Sequence, residues 1–326
     1  MLRLGIIGTG SISHEFIKAA RLSGEYEFTA VYSRTLSAAE RFAQDYKNVE
    51  LYTDMIKFLS ADLDVVYIAS PNSLHFNHAK VAILARKHVI VEKPAVSRPE
   101  EWQELVKLAA EHQVYIFEAA RNYHEVAFAV IHDFLKDKKI WGANFTYAKY
   151  SSKMEALLSG QEPNVFSAKF SGGALMDLGV YTLYAAVRLF GAPQSVCYTA
   201  QQLPNSVDLN GAGSLIYPDF QVRIQAGKNI HSQLPAEIYT DQGTLTLDGI
   251  EFIRSAIFQK LNGETESLAI RQADHQMLEE AQAFARVLKG GQEELYSDYL
   301  QAAATVHECM FAMRKDAGIR FEVDHD

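Results

Sequence analysis

Between residues 2 and 121 the chain alternates, about six times over, between short apolar runs and longer stretches of helical period. The runs are Leu2–Ile7, Tyr26–Tyr32, Val49–Tyr52, Val65–Ala69, Val89–Val91 and Val114–Phe117. Helical patterns fill most of the intervals, over 11–22, 37–46, 54–59, the stretch ending near 86, and 99–112. Runs dominated by Val, Ile and Leu, without a strict polar alternation, read as strands buried on both faces. Strands separated by helices pair in parallel through right-handed crossovers. The pattern therefore predicts a doubly wound parallel sheet of the Rossmann type, in which ligands lie beyond the carboxyl ends of the strands.

Those strand ends carry distinctive residues. The first runs into Gly8-Thr9-Gly10-Ser11-Ile12-Ser13. Gly8 permits the tight turn, and Gly10 lets backbone approach a pyrophosphate resting on the amides at the start of the next helix. Ser13 takes the third glycine position and is small enough for close helix packing. The second strand ends in Ser33-Arg34, where an NAD enzyme usually carries a carboxylate for the adenosine ribose. A hydroxyl and a guanidinium suit a 2′-phosphate instead, so NADP is favoured and NAD remains possible. The fourth strand runs into Ser70-Pro71-Asn72 with His75 close behind, polar groups suited to sugar or substrate; Asn72 is equally suited to capping the following helix. The fifth ends in Glu92-Lys93-Pro94, which projects an ammonium from the rim with a proline stiffening the turn. The sixth leads to Glu118-Ala119-Ala120-Arg121.

Beyond about Tyr123 the pattern changes. After a helix at 126–136 come β patterns at Gly142–Tyr150, Ser195–Leu203, Asn210–Tyr217, Phe220–Ala226, Gln233–Thr240 and Thr244–Leu247. Turn sequences such as Pro218-Asp219 and Asp241-Gln242-Gly243 predict a largely antiparallel open sheet with helices on one face. Short strands at Glu251–Ala256, Ser267–Ile270 and Arg320–Val323, and helices over 273–288 and 298–315, complete the expectation. The division expected is 1–121 for dinucleotide binding and 122–326, an α+β domain, for substrate binding and dimerisation. Between its first two strands lies Gly172-Gly173-Ala174-Leu175-Met176-Asp177-Leu178-Gly179-Val180-Tyr181, continuing as a helix to about Leu189. Helical spacing puts Asp177, Tyr181, Tyr184 and Arg188 on one side, free to face a pocket.

Composition sets outer limits. A net charge of −9 and a pI near 5.7, with basic residues scattered, argue against nucleic acid as a partner. Two cysteines far apart, Cys197 and Cys309, suit free buried thiols in a reducing, cytoplasmic setting better than a bridge or a metal site. Met1 leads straight into a core strand, leaving no room for a signal peptide, and no apolar run approaches the roughly 18 residues of a membrane span.

Taken together, Gly8-Thr9-Gly10, Ser33-Arg34, Ala69-Ser70-Pro71-Asn72 with His75, Glu92-Lys93-Pro94, Glu118-Ala119, Gly172-Gly173 and Asp177-Leu178-Gly179 resemble the Gfo/Idh/MocA family over essentially the whole chain. The resemblance implies that Lys93 reaches nicotinamide and substrate, that a cis peptide bond precedes Pro94, and that two second-domain sheets pack face to face in a homodimer. It also implies a catalytic role for Tyr181, four residues after Asp177. A tyrosine there resembles the dihydrodiol dehydrogenase and glucose-fructose oxidoreductase branch. The activity implied is hydride transfer between a nicotinamide and a hydroxyl or carbonyl carbon of a sugar, polyol, dihydrodiol or dicarbonyl. An unperturbed phenol near pKa ~10 is a poor base at neutral pH. A cationic Lys93 beside Tyr181 favours the phenolate and binds the substrate oxygen as charge develops. Asp177 then orients substrate or Lys93, and Glu92 steadies the turn. The alternative is a non-catalytic NADP-binding regulator of the same fold, whose mark would be the loss of Lys93 or Tyr181.

Overall fold

The computed structural model describes residues 1–325, which form two compact units. Residues 1–119 and 274–301 make the first, and residues 120–273 and 302–325 the second.

In the first unit, β1 (Leu2–Ile7), β2 (Tyr26–Tyr32), β3 (Glu50–Tyr52), β4 (Val65–Ile68), β5 (His88–Glu92) and β6 (Ile116–Ala119) form one sheet in the order β3-β2-β1-β4-β5-β6, every pairing parallel. The strands are connected through α1 (Ser11–Ser23), α2 (Leu36–Ala43), α3 (Met55–Ser60), α4 (His75–Leu84) and α5 (Pro99–His112). Strand order reverses between β1 and β4, and this is where such sheets take their ligands. Each helix has a local reason for its boundaries. Asp54 caps α3 by accepting from the N–H groups of Ile56 and Lys57. In α5, Pro99 occupies the first turn and Glu101 closes a capping box on Arg98.

The first unit is completed by residues from late in the chain. The helix α9 (Leu278–Leu288) lays Ala281 and Phe284 on the core that contains Phe16, Tyr26 and Phe117. Tyr26 donates its hydroxyl to the Ala281 carbonyl at 2.9 Å, and Phe117 stacks on Phe284 with centroids 4.7 Å apart. Burying one such Phe is worth roughly 1.5–3 kcal/mol.

In the second unit, β7 (Ile140–Ala148), β8 (Ser195–Gln202), β9 (Asp208–Ile216), β10 (Gln221–Gly227), β11 (Ala236–Thr240), β12 (Gly243–Leu247), β13 (Ala256–Lys260) and β14 (Thr265–Ser267) form a second sheet, ordered β14-β13-β12-β11-β7-β10-β9-β8. Only β7 and β10 pair in parallel. The remaining helices are α6 (Val126–Leu135), α7 (Met154–Leu158), α8 (Val180–Phe190) and α10 (Glu293–Ala317), the last beginning within the first unit's residues. Alternation sends Phe145, Leu215, Ile224, Ile238, Leu245 and Phe258 to the buried face of the sheet.

Several expectations are corrected here. The C-terminal segment expected as a strand is a 3₁₀ turn, Glu322–His325. Residues 251–255 carry no strand, because β13 starts only at Ala256. Cys197 is exposed rather than buried, since its position in β8 points to the open face. The stretch Ala168–Phe190 is long and apolar enough by composition to cross a membrane, contrary to expectation, but 78% of its most apolar window is buried inside the protein. An apolar segment packed in a core passes the same composition test. The open face of the second sheet is lined mainly by uncharged polar residues, among them Asn144, Thr199, Ser214, Gln225 and Thr246, with Arg223 and Glu237 the charges between them. That face is therefore predominantly polar and, among the described residues, presents no broad apolar patch.

Candidate active site

In the first unit the residues singled out from the sequence gather at the carboxyl ends of the strands. Gly8 has φ +108°, and a Cβ there would lie 2.4 Å from the Ala69 carbonyl oxygen, so β1 and β4 pass too closely for any side chain. Ser13 donates its hydroxyl to the Gly8 carbonyl at 2.9 Å, which ties the turn to α1 and gives this small residue a bond that a third glycine could not make. Gly10 is the N-cap of α1 and offers no side-chain cap; no acid stands in the helix's first turn. A Cβ on Gly10 would meet nothing within 4 Å. Thr9, Ser11 and the half-buried Ile12 complete this turn. Open space over uncapped amides, with the positive end of a helix dipole behind them, fits a pyrophosphate.

Ser33 and Arg34 follow β2. The Ser33 N–H donates to the Tyr52 carbonyl, which fixes the backbone, while Arg34 is exposed and makes no ion pair among the described residues. On the neighbouring strand Glu50 is engaged by the Tyr52 hydroxyl. After β4, Pro71 and Asn72 enter a 3₁₀ turn, Asn72–Leu74, that leads directly into α4; the Asn72 carbonyl accepts from the His75 N–H. The Ser70 hydroxyl meets His78 Nδ1 at 2.9 Å. Burial holds the His78 imidazole down at about 4.

The turn after β5 is held from three directions. His75, fully buried, sets Nδ1 2.9 Å from the Pro94 carbonyl and Nε2 2.6 Å from the Ser70 carbonyl, so one ring spans the β4 and β5 tips. Burial lowers its pKa, with the two carbonyls pulling the other way. Glu118 on β6 accepts the Ala95 N–H at 3.0 Å. Glu92 accepts the hydroxyl of Tyr67, whose ring stacks on Phe16. The Lys93–Pro94 bond is cis. From Val91 to Ser97 every residue is buried except Lys93, which is half-exposed. The local fold thus leaves Lys93 partly exposed and encloses its neighbours.

In the second unit, Asp177 lies in a π-helical turn, Leu175–Gly179, that opens into α8. Such a turn breaks helical spacing, is uncommon, and is frequent at functional sites. Its entry is pinned by Asp208, fully buried on β9, which accepts the Leu175 N–H at 2.8 Å and the Tyr198 hydroxyl at 3.2 Å. Burial raises the carboxyl of Asp208 above its ordinary value. Asp177 is paired with Lys228, at the end of β10. Tyr181 is buried, its ring edge-on to Tyr147 at 5.3 Å and its backbone carbonyl held by the Asn122 side chain at 2.9 Å. The guanidinium of Arg121, taken from sequence as a cofactor ligand, lies 5.2 Å from the Tyr181 ring centroid. Tyr184 is buried against Tyr123, and Arg188 stacks over Tyr123. Lys228 and Asp208 were not foreseen. The only local signal for Lys228 is its place straight after an alternating strand.

A parallel sheet with this order and a glycine turn of this geometry, in a chain with a second, open-faced sheet unit, define a dinucleotide-binding protein of two units. Residues 2–120 match the oxidoreductase family model with an NAD-binding Rossmann fold, and residues 139–246 match the C-terminal domain model of the same family. The chain is 35% identical over 328 residues, covering 99% of both proteins, to the uncharacterized oxidoreductase YgjR of Escherichia coli. It is 33% identical, again over 99% of both, to the scyllo-inositol 2-dehydrogenase (NADP(+)) IolU of Bacillus subtilis. A crystal structure of KijD10, a 3-ketoreductase from Actinomadura kijaniata in complex with TDP-benzene and NADP, shares the fold with a TM-score of 0.82 at 20% identity, over 97% of this chain and 98% of that one. The chain belongs to the Gfo/Idh/MocA family of oxidoreductases.

Proposed function

We propose that the chain is an NADP-dependent dehydrogenase or reductase acting on a hydroxyl or carbonyl carbon of a sugar, polyol, dihydrodiol or dicarbonyl. The observation that carries this reading is the turn after β5, where His75, Glu118 and Tyr67 hold the surrounding groups and Lys93 is the one residue from Val91 to Ser97 that is not buried. When bound, the nicotinamide supplies or accepts the hydride. Residues 1–121 bind the dinucleotide: Gly8 to Ile12 receive the pyrophosphate, Ser33 and Arg34 the 2′-phosphate, and Ser70, Pro71, Asn72, His75, Glu92 and Arg121 flank the remainder. Residues 122–326 serve substrate binding and dimerisation. Lys93 hydrogen-bonds the reacting oxygen and stabilises charge as it develops there. Tyr181 transfers the proton, and Asp177 orients the substrate. Two features support NADP over NAD: the exposed Arg34 and the absence of a carboxylate at the tip of β2. The relative IolU, named for NADP(+), agrees.

A homodimer through the second sheet is part of the same proposal. It is supported by the sparse charge of that face and by a shallow depression of about 340 Å³ between Asn144, Ser214, Arg223 and Gln225. The free thiols accord with a reducing, cytoplasmic setting.

The test is a panel of sugars, polyols, dihydrodiols and dicarbonyls assayed with NADP and NADPH. Replacing Lys93 with Met is expected to lower turnover on the order of 10²-fold or more while cofactor affinity is kept. Unchanged turnover rejects the role of Lys93. Failure of every panel compound to exchange hydride with NADP(H) rejects the enzymatic reading in favour of a regulator.

A further inference from the structure

Lys228 directly follows β10, and its backbone is fixed on both sides: its N–H donates to the Leu209 carbonyl at 2.7 Å and its carbonyl accepts from the Ser151 N–H at 2.8 Å. Its side chain is 5% exposed, the ammonium lies 5.9 Å from the Phe166 ring centroid, and it donates to Oδ2 of Asp177, whose side chain is 35% exposed. This inverts the usual lysine arrangement, in which the stem is buried and the charge reaches water. Here the cation is inside and its carboxylate partner is partly exposed. A buried ammonium needs a partner, so the pair fixes the rotamer of Asp177.

Building on the redox reading above, we infer that Lys228 is a positioning residue that holds Asp177 as a permanent hydrogen-bond acceptor for a substrate hydroxyl. An ionised carboxylate has about four lone-pair sites and no proton to give. It can accept from a substrate hydroxyl while Lys228 occupies Oδ2. A group with no donor, such as the second carbonyl of a dicarbonyl, would face lone pairs and be disfavoured. The geometry therefore selects polyols and hydroxyketones over dicarbonyls within the proposed substrate range.

A double-mutant cycle tests this with the best hydroxyl-bearing substrate and its deoxy analogue. In the wild-type background, Lys228→Met is expected to lower kcat/KM for the hydroxyl-bearing substrate by about 30-fold or more, mostly through KM. In an Asp177→Asn background the same change is expected to cost no more than about twofold, because the group through which Lys228 acts is already gone. Lys228→Arg, which keeps the cation, is expected to regain at least about tenfold of the loss. The deoxy analogue is expected to be nearly insensitive to all three changes. Equal losses from Lys228→Met in both backgrounds would mark a structural lysine and overturn the inference, as would an unchanged kcat/KM. If Lys228→Met alone does not fold, comparing D177N with D177N/K228M decides the matter: equal values support the inference and a further large drop overturns it. A wild-type chain inert toward every panel compound overturns the redox reading itself, whereas an active wild type with an additive cycle overturns only the role given to Lys228.

Discussion

Gly8 and Gly10 stand two residues apart in one turn, yet the structure assigns them different duties, and alanine separates them. At Gly8 an alanine must adopt φ +108° and place its methyl 2.4 Å from the Ala69 carbonyl oxygen. The left-handed conformation costs about 1–2 kcal/mol. Forcing β1 and β4 apart to relieve the contact costs about 1–3 kcal/mol more, because the obstacle is backbone. The sum, roughly 2–5 kcal/mol, is a large part of an ordinary domain's stability of about 5–15 kcal/mol. At Gly10 the backbone angles, φ −83° and ψ 172°, suit any residue, and the methyl would meet nothing within 4 Å. There alanine gains roughly 0.4–1 kcal/mol by restricting the unfolded chain and loses a similar few tenths to one as a poorer N-cap. Stability is therefore expected to stay nearly unchanged, while the methyl fills the space a pyrophosphate needs. Urea denaturation with no cofactor should give G8A a clearly lower midpoint and G10A a wild-type one, with unchanged slopes. Fluorescence titration with NADPH should give G10A a Kd raised at least tenfold, about 1.4 kcal/mol. A G10A variant that binds NADPH like wild type, or that is destabilised as much as G8A, refutes the reasoning.

Arg34→Ala should weaken NADP binding by about 10- to 100-fold and leave NAD binding nearly unchanged, as read by paired titrations; an equal loss for both would remove Arg34 from the 2′-phosphate. Asp208→Ala leaves the buried Leu175 N–H without its acceptor and should lower the urea midpoint by an amount corresponding to about 1–3 kcal/mol, with Asp208→Asn retaining most of the stability; equal losses would mean the cap at the π-helical turn is not what matters. His75 and His78 both have their folded-state pKa depressed below the ordinary 6.5, His78 to about 4. Below pH 6.5 the unfolded chain therefore takes up protons that the native state refuses, and stability falls as pH drops from about 6.5 toward 4, with no such loss above 7. His78→Gln should lose less stability than wild type between pH 7.5 and pH 5 in urea titrations; parallel losses would exclude His78 as a source of the slope.

Much of the first unit is legible in the sequence because its signals are local. Gly8-Thr9-Gly10 carries its own turn, and Val89 to Pro94 carries both a buried strand and its end. What holds these features is less visible. The ring of His75 reaches the Pro94 carbonyl across 19 positions, and Glu118 reaches the Ala95 N–H across 23. Each donor or acceptor has many possible partners at such separations, and only the closed sheet chooses among them. The second unit marks the limit of periodic reasoning. Spacing of four residues groups Asp177 with Tyr181, but the intervening π-helical turn breaks the regular period, and Tyr184 from the same predicted polar side is buried. Lys228 and Asp208 meet this segment from strands 51 and 33 residues away, where no pattern of hydrophobicity could announce them. The sequence pattern gives a strand over Glu251–Ala256, yet Ile253 is buried without one; its N–H bonds to the Glu125 carboxylate instead of a ladder. An amphipathic helix is similarly silent about its destination, since the apolar stripe of α9 would cover either sheet.

The destination of α9 bears on how this molecule is made. Its residues complete the core around Tyr26 and Phe117, yet a ribosome delivers them only after the whole of the second sheet has emerged. A nascent chain therefore carries an unfinished amino-terminal half throughout most of its synthesis, with aromatic surface awaiting a cover. A gene truncated after codon 119 would encode the glycine turn and Lys93 but not the helix that seals the hydrophobic flank beneath them.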